Sequence, residues 1–301
     1  MSVKAKKSIK TSKQDTLFYA VIYAVILLIL IILLWPLIFI VSSSLSSKEA
    51  VMAGRVFLLP VNFSLEGYKA VFQTNEVLIG FRNTVLYTLF GTMLNVALTL
   101  IAAYPLSRKD LPYRRMWSFI FTFTMIFSGG MIPTYMVVNK LGLMNSPLAM
   151  ILHTAMSVYN LMIARTFMEN SIPSELLEAA RVDGCDDIAY FWKILLPLSK
   201  PVIAVITLYY AVAHWNSYFN AFLYITDAKL NPLQIVLRNI LLANQIDTAM
   251  TTDFDTMTSK QGLADVLKYS LIVVSTLPVM IMYPFVQKYF TKGVMIGAVK
   301  G

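Results

Sequence analysis

The chain has 301 residues, 57% of them hydrophobic, and a mean hydropathy of +0.66, which excludes an ordinary soluble domain. Its net charge of +9 sits on the flanks of apolar runs rather than in one patch, which argues against a nucleic-acid footprint. A lone cysteine, Cys185, rules out an intramolecular disulfide and a cysteine-based metal cluster.

In chain order, residues 1–16 form a basic tail carrying Lys4, Lys6, Lys7, Lys10 and Lys13. The apolar run that follows is longer than the roughly 7–15 residues of a signal-peptide core, so a retained anchor is expected, kinked at Pro36. Six runs approach or exceed the roughly 20 residues that a helix needs to cross a bilayer. They lie at Leu17–Val41, Thr84–Leu106, Met116–Val138, Pro147–Met168, Pro201–Ile225 and Ala264–Val286. Backbone polar groups must be satisfied within lipid, and the runs are continuous rather than alternating, so helices are predicted and not a barrel. The predicted class is all-α, a six-span polytopic membrane protein with a membrane-spanning body over 17–287 and a terminal tail over 288–301.

Placing the N-terminal tail inside puts Arg108, Lys109, Arg114, Arg115, Arg165, Arg181, Lys193, Lys200 and the C-terminal Lys288, Lys292 and Lys300 on the same side. That gathers 16 of the 25 basic residues inside, while the acidic ones split evenly. The positive-inside rule then predicts cytoplasmic N and C termini. The segments Ser42–Arg82 and Thr226–Leu263 fall outside, as long polar loops that could meet an extracytoplasmic partner or merely connect spans. Asp247, Asp253 and Asp255 in the second lack the spacing of an EF-hand.

The segment 169–200, between spans four and five, reads as a soluble-looking element. Ser174 is the predicted N-cap of a short helix with Leu176, Leu177 and Ala180 on its apolar side. Gly184 supplies the stop, where positive φ is cheap only for glycine. Asp186 caps a second helix whose apolar stripe should be Ile188, Phe191, Trp192 and Leu195, and Pro197 and Pro201 break the chain before span five. Two short helices joined at a glycine corner make a rigid projection, with charge from Glu178, Arg181 and Asp183. A plain connector lying on the lipid surface is the alternative, although the acidic pair Asp186 and Asp187 disfavours it.

Glu178-Ala179-Ala180, then Gly184 after three residues, then Ile194-x-Leu196-Pro197 after nine more, resembles the EAA motif of the membrane subunits of bacterial ABC importers. The six-span layout, the run His214-Trp215-Asn216-Ser217-Tyr218-Phe219-Asn220 and the ending Gly297-Ala298-Val299-Lys300-Gly301 are similar to the shorter permease of the maltose-transporter-type carbohydrate family. In finer detail they resemble importers of oligosaccharides and polysaccharide fragments of Gram-positive type. The resemblance implies a type I importer permease fold in the bacterial cytoplasmic membrane. It implies a second homologous permease, two ATPase subunits and an extracytoplasmic sugar-binding protein as partners. ATP and magnesium would sit on the ATPases, with no cofactor on this chain. Docking would fall to Glu178, Ala179, Ala180, Arg181, Asp183, Gly184, Ile194, Leu196 and Pro197. Gly297, Val299, Lys300 and Gly301 would enter a groove between the ATPases.

The chain has no phosphate-cradling Gly-x-x-x-x-Gly-Lys-Ser/Thr loop and no His-Glu-x-x-His, and its only histidines are His153 and His214, so neither ATP hydrolysis nor a catalytic metal site is expected. Ionisable groups are scarce within the spans, which disfavours a stand-alone ion-coupled transporter. A membrane scaffold, the other alternative, would need no polar path. His214, Trp215, Asn216, Tyr218 and Asn220 are candidates for such a path, because aromatic faces suit sugar rings and amides suit hydroxyls. Asn83, Asn95 and Asn160 read as interhelical hydrogen bonders.

Overall fold

The computed structural model describes residues 13–247 and 254–298, and every described secondary element is helical. Residues 13–70 with 254–273 form one compact unit and residues 71–247 with 274–298 another.

In the first unit, α1 (Lys13–Ser44) runs unbroken through Pro36. Its shaft is apolar on all sides and exposed, as a lipid-facing helix should be. Only its end is packed: Trp35 meets Phe57 edge-on, Phe39 meets Tyr269, and Ser42, Ser43, Ser44 and Ser46 are buried. The serine hydroxyls hold the turn that follows, Ser42 donating to the Leu58 carbonyl at 2.6 Å and Ser46 accepting from the Val61 amide at 3.0 Å. Two short helices complete the predicted outer segment, α2 (Lys48–Met52) and α3 (Glu66–Gln73).

The second unit is built on α4 (Asn75–Ser107), which packs against α8 (Val158–Ser171) and α11 (Lys200–Trp215). Ala103 and Ala164 are fully buried in this packing. Small residues of this kind let membrane helices approach closely where lipid provides no hydrophobic drive. Leu100, Leu161 and Ile206 fill the core around them. At the other end of α4, Asn83 donates to the carbonyls of Lys229 and Asn231 at 2.8 and 3.1 Å, and Thr84 accepts from the Leu233 amide at 2.8 Å. Asn83 therefore anchors the segment leading into α13 (Leu233–Asp247), an amphipathic helix inside what the sequence suggested was a loop.

Among the described residues, three helices are long and apolar enough to cross a membrane, namely Gln14–Ser44, Asn75–Ser107 and Gly262–Phe285, the last within α14 (Phe254–Ala298). The other predicted spans are not single rods. Span three is α5 (Arg114–Ile126) and α6 (Met131–Lys140), bent by 108°. The break falls at Ser128-Gly129-Gly130, where Gly130 takes φ +85°. Span four is split into α7 (Pro147–Ile151) and α8, with non-helical backbone between them and Ser157 capping α8 through the Asn160 amide. Span five is the straight helix α11 followed, after a turn at Asn216–Tyr218, by α12 (Phe219–Tyr224). The C-terminal tail from 288 is not a loose glycine-rich strand, since α14 continues to Ala298. Gly297 falls in its last turn, while Val299, Lys300 and Gly301 lie outside the described residues.

Candidate functional site

Two features stand out in the second unit. The first is the corner in 169–200. Helix α9 spans Ser174–Val182 with Pro173, not Ser174, at the cap position, one residue earlier than predicted. It ends in a Schellman arrangement: Gly184 N–H donates to the Arg181 carbonyl at 3.0 Å and Cys185 N–H to the Ala180 carbonyl at 2.8 Å. Gly184 has φ +77°, as the motif requires. Helix α10 (Asp187–Leu198) follows, capped by the Asp186 carboxylate, which accepts from the Ala189 amide at 2.6 Å. An 80° bend then leads into α11.

The apolar stripe of α10 is not the predicted one. Phe191 and Leu195 are buried, but Ile188 and Trp192 are 71% and 63% exposed, and Tyr190 takes the inward place. The inward set Tyr190, Phe191 and Leu195, with Ile194 half-buried, keeps a helical spacing but is rotated from the predicted stripe, because these residues pack against the core formed with α4, α8 and α11; a π turn runs over Phe191–Leu195. Ile194 and Leu196 are half-buried against the core, and Pro197 is exposed. Ala180 is buried beneath α9, leaving Glu178, Ala179, Arg181, Asp183 and Gly184 on its open side.

A clasp that sequence reasoning missed steadies this corner. Arg108, just past α4, pairs with Asp110 at 2.5 Å and with Asp187. Arg181 reaches the same two carboxylates at 3.1 and 3.8 Å, and Tyr104 completes the set. The Arg108 guanidinium first, and Arg181 after it, hold the Asp110 carboxyl well below the usual carboxylate range. Arg181 thus has an internal duty in addition to the docking role suggested for it. A cleft of about 580 Å³ opens beside the clasp, with Glu178 and Glu175 on its wall.

The second feature is a polar cavity of about 390 Å³ inside the helical body. Backbone outside regular structure is tolerated at membrane depth only where protein or a water-filled space satisfies it. Here the irregular 152–157 segment is satisfied in that way. Asn95 donates to the Thr154 carbonyl at 2.8 Å, and the Tyr210 hydroxyl accepts from the Ser157 amide at 3.0 Å while bonding Thr99 at 2.7 Å. Asn160, His153, His214, Ser217 and Asn220 complete the polar wall. Asn95 Oδ1, Thr154 Oγ1 and His214 Nε2 are buried with no hydrogen-bond partner among the described residues.

Of the five path candidates, His214 and Asn220 line this cavity. Trp215 does not: its indole N–H donates to the Ser275 carbonyl at 2.8 Å, and the ring faces a separate apolar groove that also holds Leu89 and Met93. Asn216 is exposed and bonds the Val212 carbonyl of its own helix, and Tyr218 stacks on Phe222. Successive helical residues point about 100° apart, so His214 and Trp215 cannot share a wall. Asn95 and Asn160, read from the sequence as structural, are the amides that the cavity shares. Gly91 of α4 lets the His214 ring lie flush, since a Cβ there would meet its atoms at 2.5 Å.

The model of the family described as binding-protein-dependent transport system inner membrane component matches residues 95–296, two thirds of the chain. The chain belongs to this family. It is similar to the polygalacturonan/rhamnogalacturonan transport system permease protein YtcP of Bacillus subtilis (strain 168), 42% identical over 96% of this chain and all of that protein. Protein LplC of the same organism is 41% identical over 88% of this chain and 89% of its own length. A solved bacterial ABC transporter involved in the import of the acidic polysaccharide alginate contains a chain with a TM-score of 0.85 and 34% identity, covering 94% of this chain and all of its own. A second structure, of a bacterial alginate ABC transporter in complex with a pentasaccharide-bound periplasmic protein, shares the fold at a TM-score of 0.57 and 16% identity. The all-helical fold and the family expected from the EAA-like run are therefore borne out. The protein is a multi-pass permease subunit of an ABC transport system.

Proposed function

We propose that this chain is one half of a permease pair that passes an oligosaccharide, a fragment of a polysaccharide, inward across the bacterial cytoplasmic membrane. An extracytoplasmic binding protein delivers the sugar on the side of Ser42–Arg82 and Thr226–Leu263. Two ATPase subunits carry ATP and magnesium and dock on the side of both termini. The observation that carries this reading is the corner α9–Gly184–α10. It is a stiff projection at the end of the membrane helices, with Glu178, Ala179, Asp183 and Gly184 exposed on it. A stiff projection can pass a displacement of the ATPases to the helices, which a flexible loop cannot, and the permease then exchanges two packings.

The sugar class is supported by the names of the relatives, which include a polygalacturonan/rhamnogalacturonan transport system and an alginate importer. The polar cavity supports it as well. Asn95, Asn160, Asn220 and Ser217 offer amides and a hydroxyl to sugar hydroxyls, and Asn95, Thr154 and His214, each with a buried unpaired atom among the described residues, line the same space. The partners are testable by affinity purification of the chain from membranes in mild detergent. Stoichiometric recovery of a second permease and two ATPase copies is expected. Recovery of the chain alone, from membranes that still take up the sugar, would overturn the reading.

A further inference from the structure

Helix α5 begins beside the end of α8, and between them lies a cavity of about 460 Å³ walled by Arg114, Arg115, Arg165 and Glu169. Its charge is unbalanced. Glu169 takes Arg114 at 2.5 Å and Arg165 at 3.6 Å. Arg115 has no carboxylate within ion-pair distance among the described residues, and Arg165 Nε is buried without a partner. Three guanidinium groups surround one carboxylate, Arg114 and Arg165 partly buried and Arg115 exposed, so the site carries an excess of positive charge that attracts an anion.

The backbone adds to the attraction. Tyr113 stands at the cap of α5 in the left-handed region, φ 55°, and its side chain makes no capping bond. The first N–H groups of this 13-residue helix therefore lack a side-chain cap, and the positive end of the helix dipole lies in the same turn as Arg114 and Arg115. Arg114 is held in place by a bond from its Nε to the Leu106 carbonyl at 3.0 Å, which fixes one wall of the cavity.

What surrounds the anion site distinguishes its occupant. Arg115, Phe119, Phe123 and Phe127 recur every fourth residue, one above the other along α5. The three rings form a continuous row, Phe119 to Phe123 at 6.1 Å and Phe123 to Phe127 at 4.6 Å between centroids, and are 68%, 45% and 63% exposed. A positive pocket at the head of an exposed aromatic row fits a molecule with an anionic head and a long apolar tail. Free phosphate would use the pocket and leave the row unexplained.

We infer that this is a binding site for an anionic glycerophospholipid, its phosphate held by Arg115, Arg165 and the start of α5, and an acyl chain laid along Phe119, Phe123 and Phe127. The site lies at the same end of the helices as the clasp, because Glu169 lies within two turns of α9. Lipid bound there braces α5 against α8 next to the docking corner, and so couples the charge of the surrounding leaflet to transport.

The test uses the assembled transporter. Lipid that co-purifies in mild detergent is extracted and quantified, and uptake is measured in vesicles of phosphatidylcholine alone and of phosphatidylcholine with phosphatidylglycerol. Wild type should retain anionic lipid and need phosphatidylglycerol for full uptake. Arg115→Gln, at an exposed residue without a carboxylate partner, should retain roughly fivefold less, the worth of one basic residue at an anionic surface. Phe119→Ala, which leaves every charge in place, should also retain less. Arg115→Lys should restore most of the retention. Equal retention and equal phosphatidylglycerol dependence in wild type and Arg115→Gln would overturn the proposal. So would inorganic phosphate stabilising the lipid-stripped complex as well as phosphatidylglycerol does, or a cysteine at Phe119 cross-linking efficiently to the second permease.

Discussion

Gly184 offers the sharpest perturbation of the docking corner, because its substitution changes backbone strain and little else. A Cβ built there meets nothing within 4 Å, so no clash inside the chain confuses the result. Its φ of +77° costs a residue with a side chain about 1–2 kcal/mol, with a β-branched one at the upper end and asparagine nearly tolerant. The corner is held by two terminal hydrogen bonds, Gly184 to Arg181 and Cys185 to Ala180, worth about 0.5–1.5 kcal/mol each. Valine strain is therefore comparable to what these two bonds contribute, leaving the clasp of Arg181 and Arg108 on Asp187 as the remaining restraint on the angle of α9 to α10. Alanine would open it less, and asparagine, with a side chain about as large as valine's, hardly at all. Assembled transporters carrying each substitution should be reconstituted, and sugar taken up per ATP hydrolysed compared. Coupling should fall in the order Gly, Asn, Ala, Val. Wild-type coupling in Gly184→Val at equal assembly would refute the reasoning. Asparagine as damaging as valine would show that side-chain bulk against a partner, not backbone conformation, is what matters.

Three further outcomes follow from the geometry. Gly91→Ala drives a methyl into the His214 ring and should cost about 1–3 kcal/mol of overpacking; adding His214→Ala should restore thermal stability but not uptake, and a double variant as unstable as the single one would contradict the packing. The carboxyl of Asp110 is depressed in the folded state, so its contribution is full above the unfolded carboxylate value of about 4 and fades only as pH falls through the depressed one. The clasp should accordingly persist from pH 5 to 8, and Asp110→Asn should raise hydrogen exchange in α9 at neutral pH for a loss of about 1 kcal/mol or less, the residue being half exposed; unchanged exchange would remove the clasp from the account. In a Cys185→Ser background, cysteine at the exposed Thr226 should react with a membrane-impermeant reagent in intact cells while cysteine at Val182 stays protected, and the reverse pattern would invert the topology.

The corner was legible in the sequence because turn chemistry is local. Gly184 can stop one helix and Asp186 can start the next whatever lies around them, and the structure places both as read. The spans were less legible. Hydropathy registers that 147–168 is apolar, but not that the chain leaves the helix at 152–157, because that break is stabilised by Asn95 and Tyr210 from distant helices. The signals were present and weak: Gly129-Gly130 with Pro133 in span three, and Ser157 as a helix cap within span four. The inward stripe of α10 was read out of phase: Tyr190, Phe191 and Leu195 turn inward, a choice set by the core they meet on distant helices and not by spacing alone. The cavity residues were half found. The eye groups His214 with Trp215 as neighbours, whereas the helix groups His214 with Asn95 and Asn160 across the bundle. The clasp of Arg108, Asp110, Arg181 and Asp187 joins two loops some 80 residues apart and had no local signature.

The central claim is that this chain forms, with a second permease, the path for an oligosaccharide and draws its energy through the α9–Gly184–α10 corner. The most direct measurement is uptake of a labelled oligosaccharide into sealed vesicles containing the purified permease pair and its ATPases, with binding protein outside and ATP inside. Uptake should require all components. It should be lost with Gly184→Val and reduced by Asn95→Ala in the cavity. Oligosaccharide uptake that proceeds without the ATPases, or that is indifferent to both substitutions, would contradict the account.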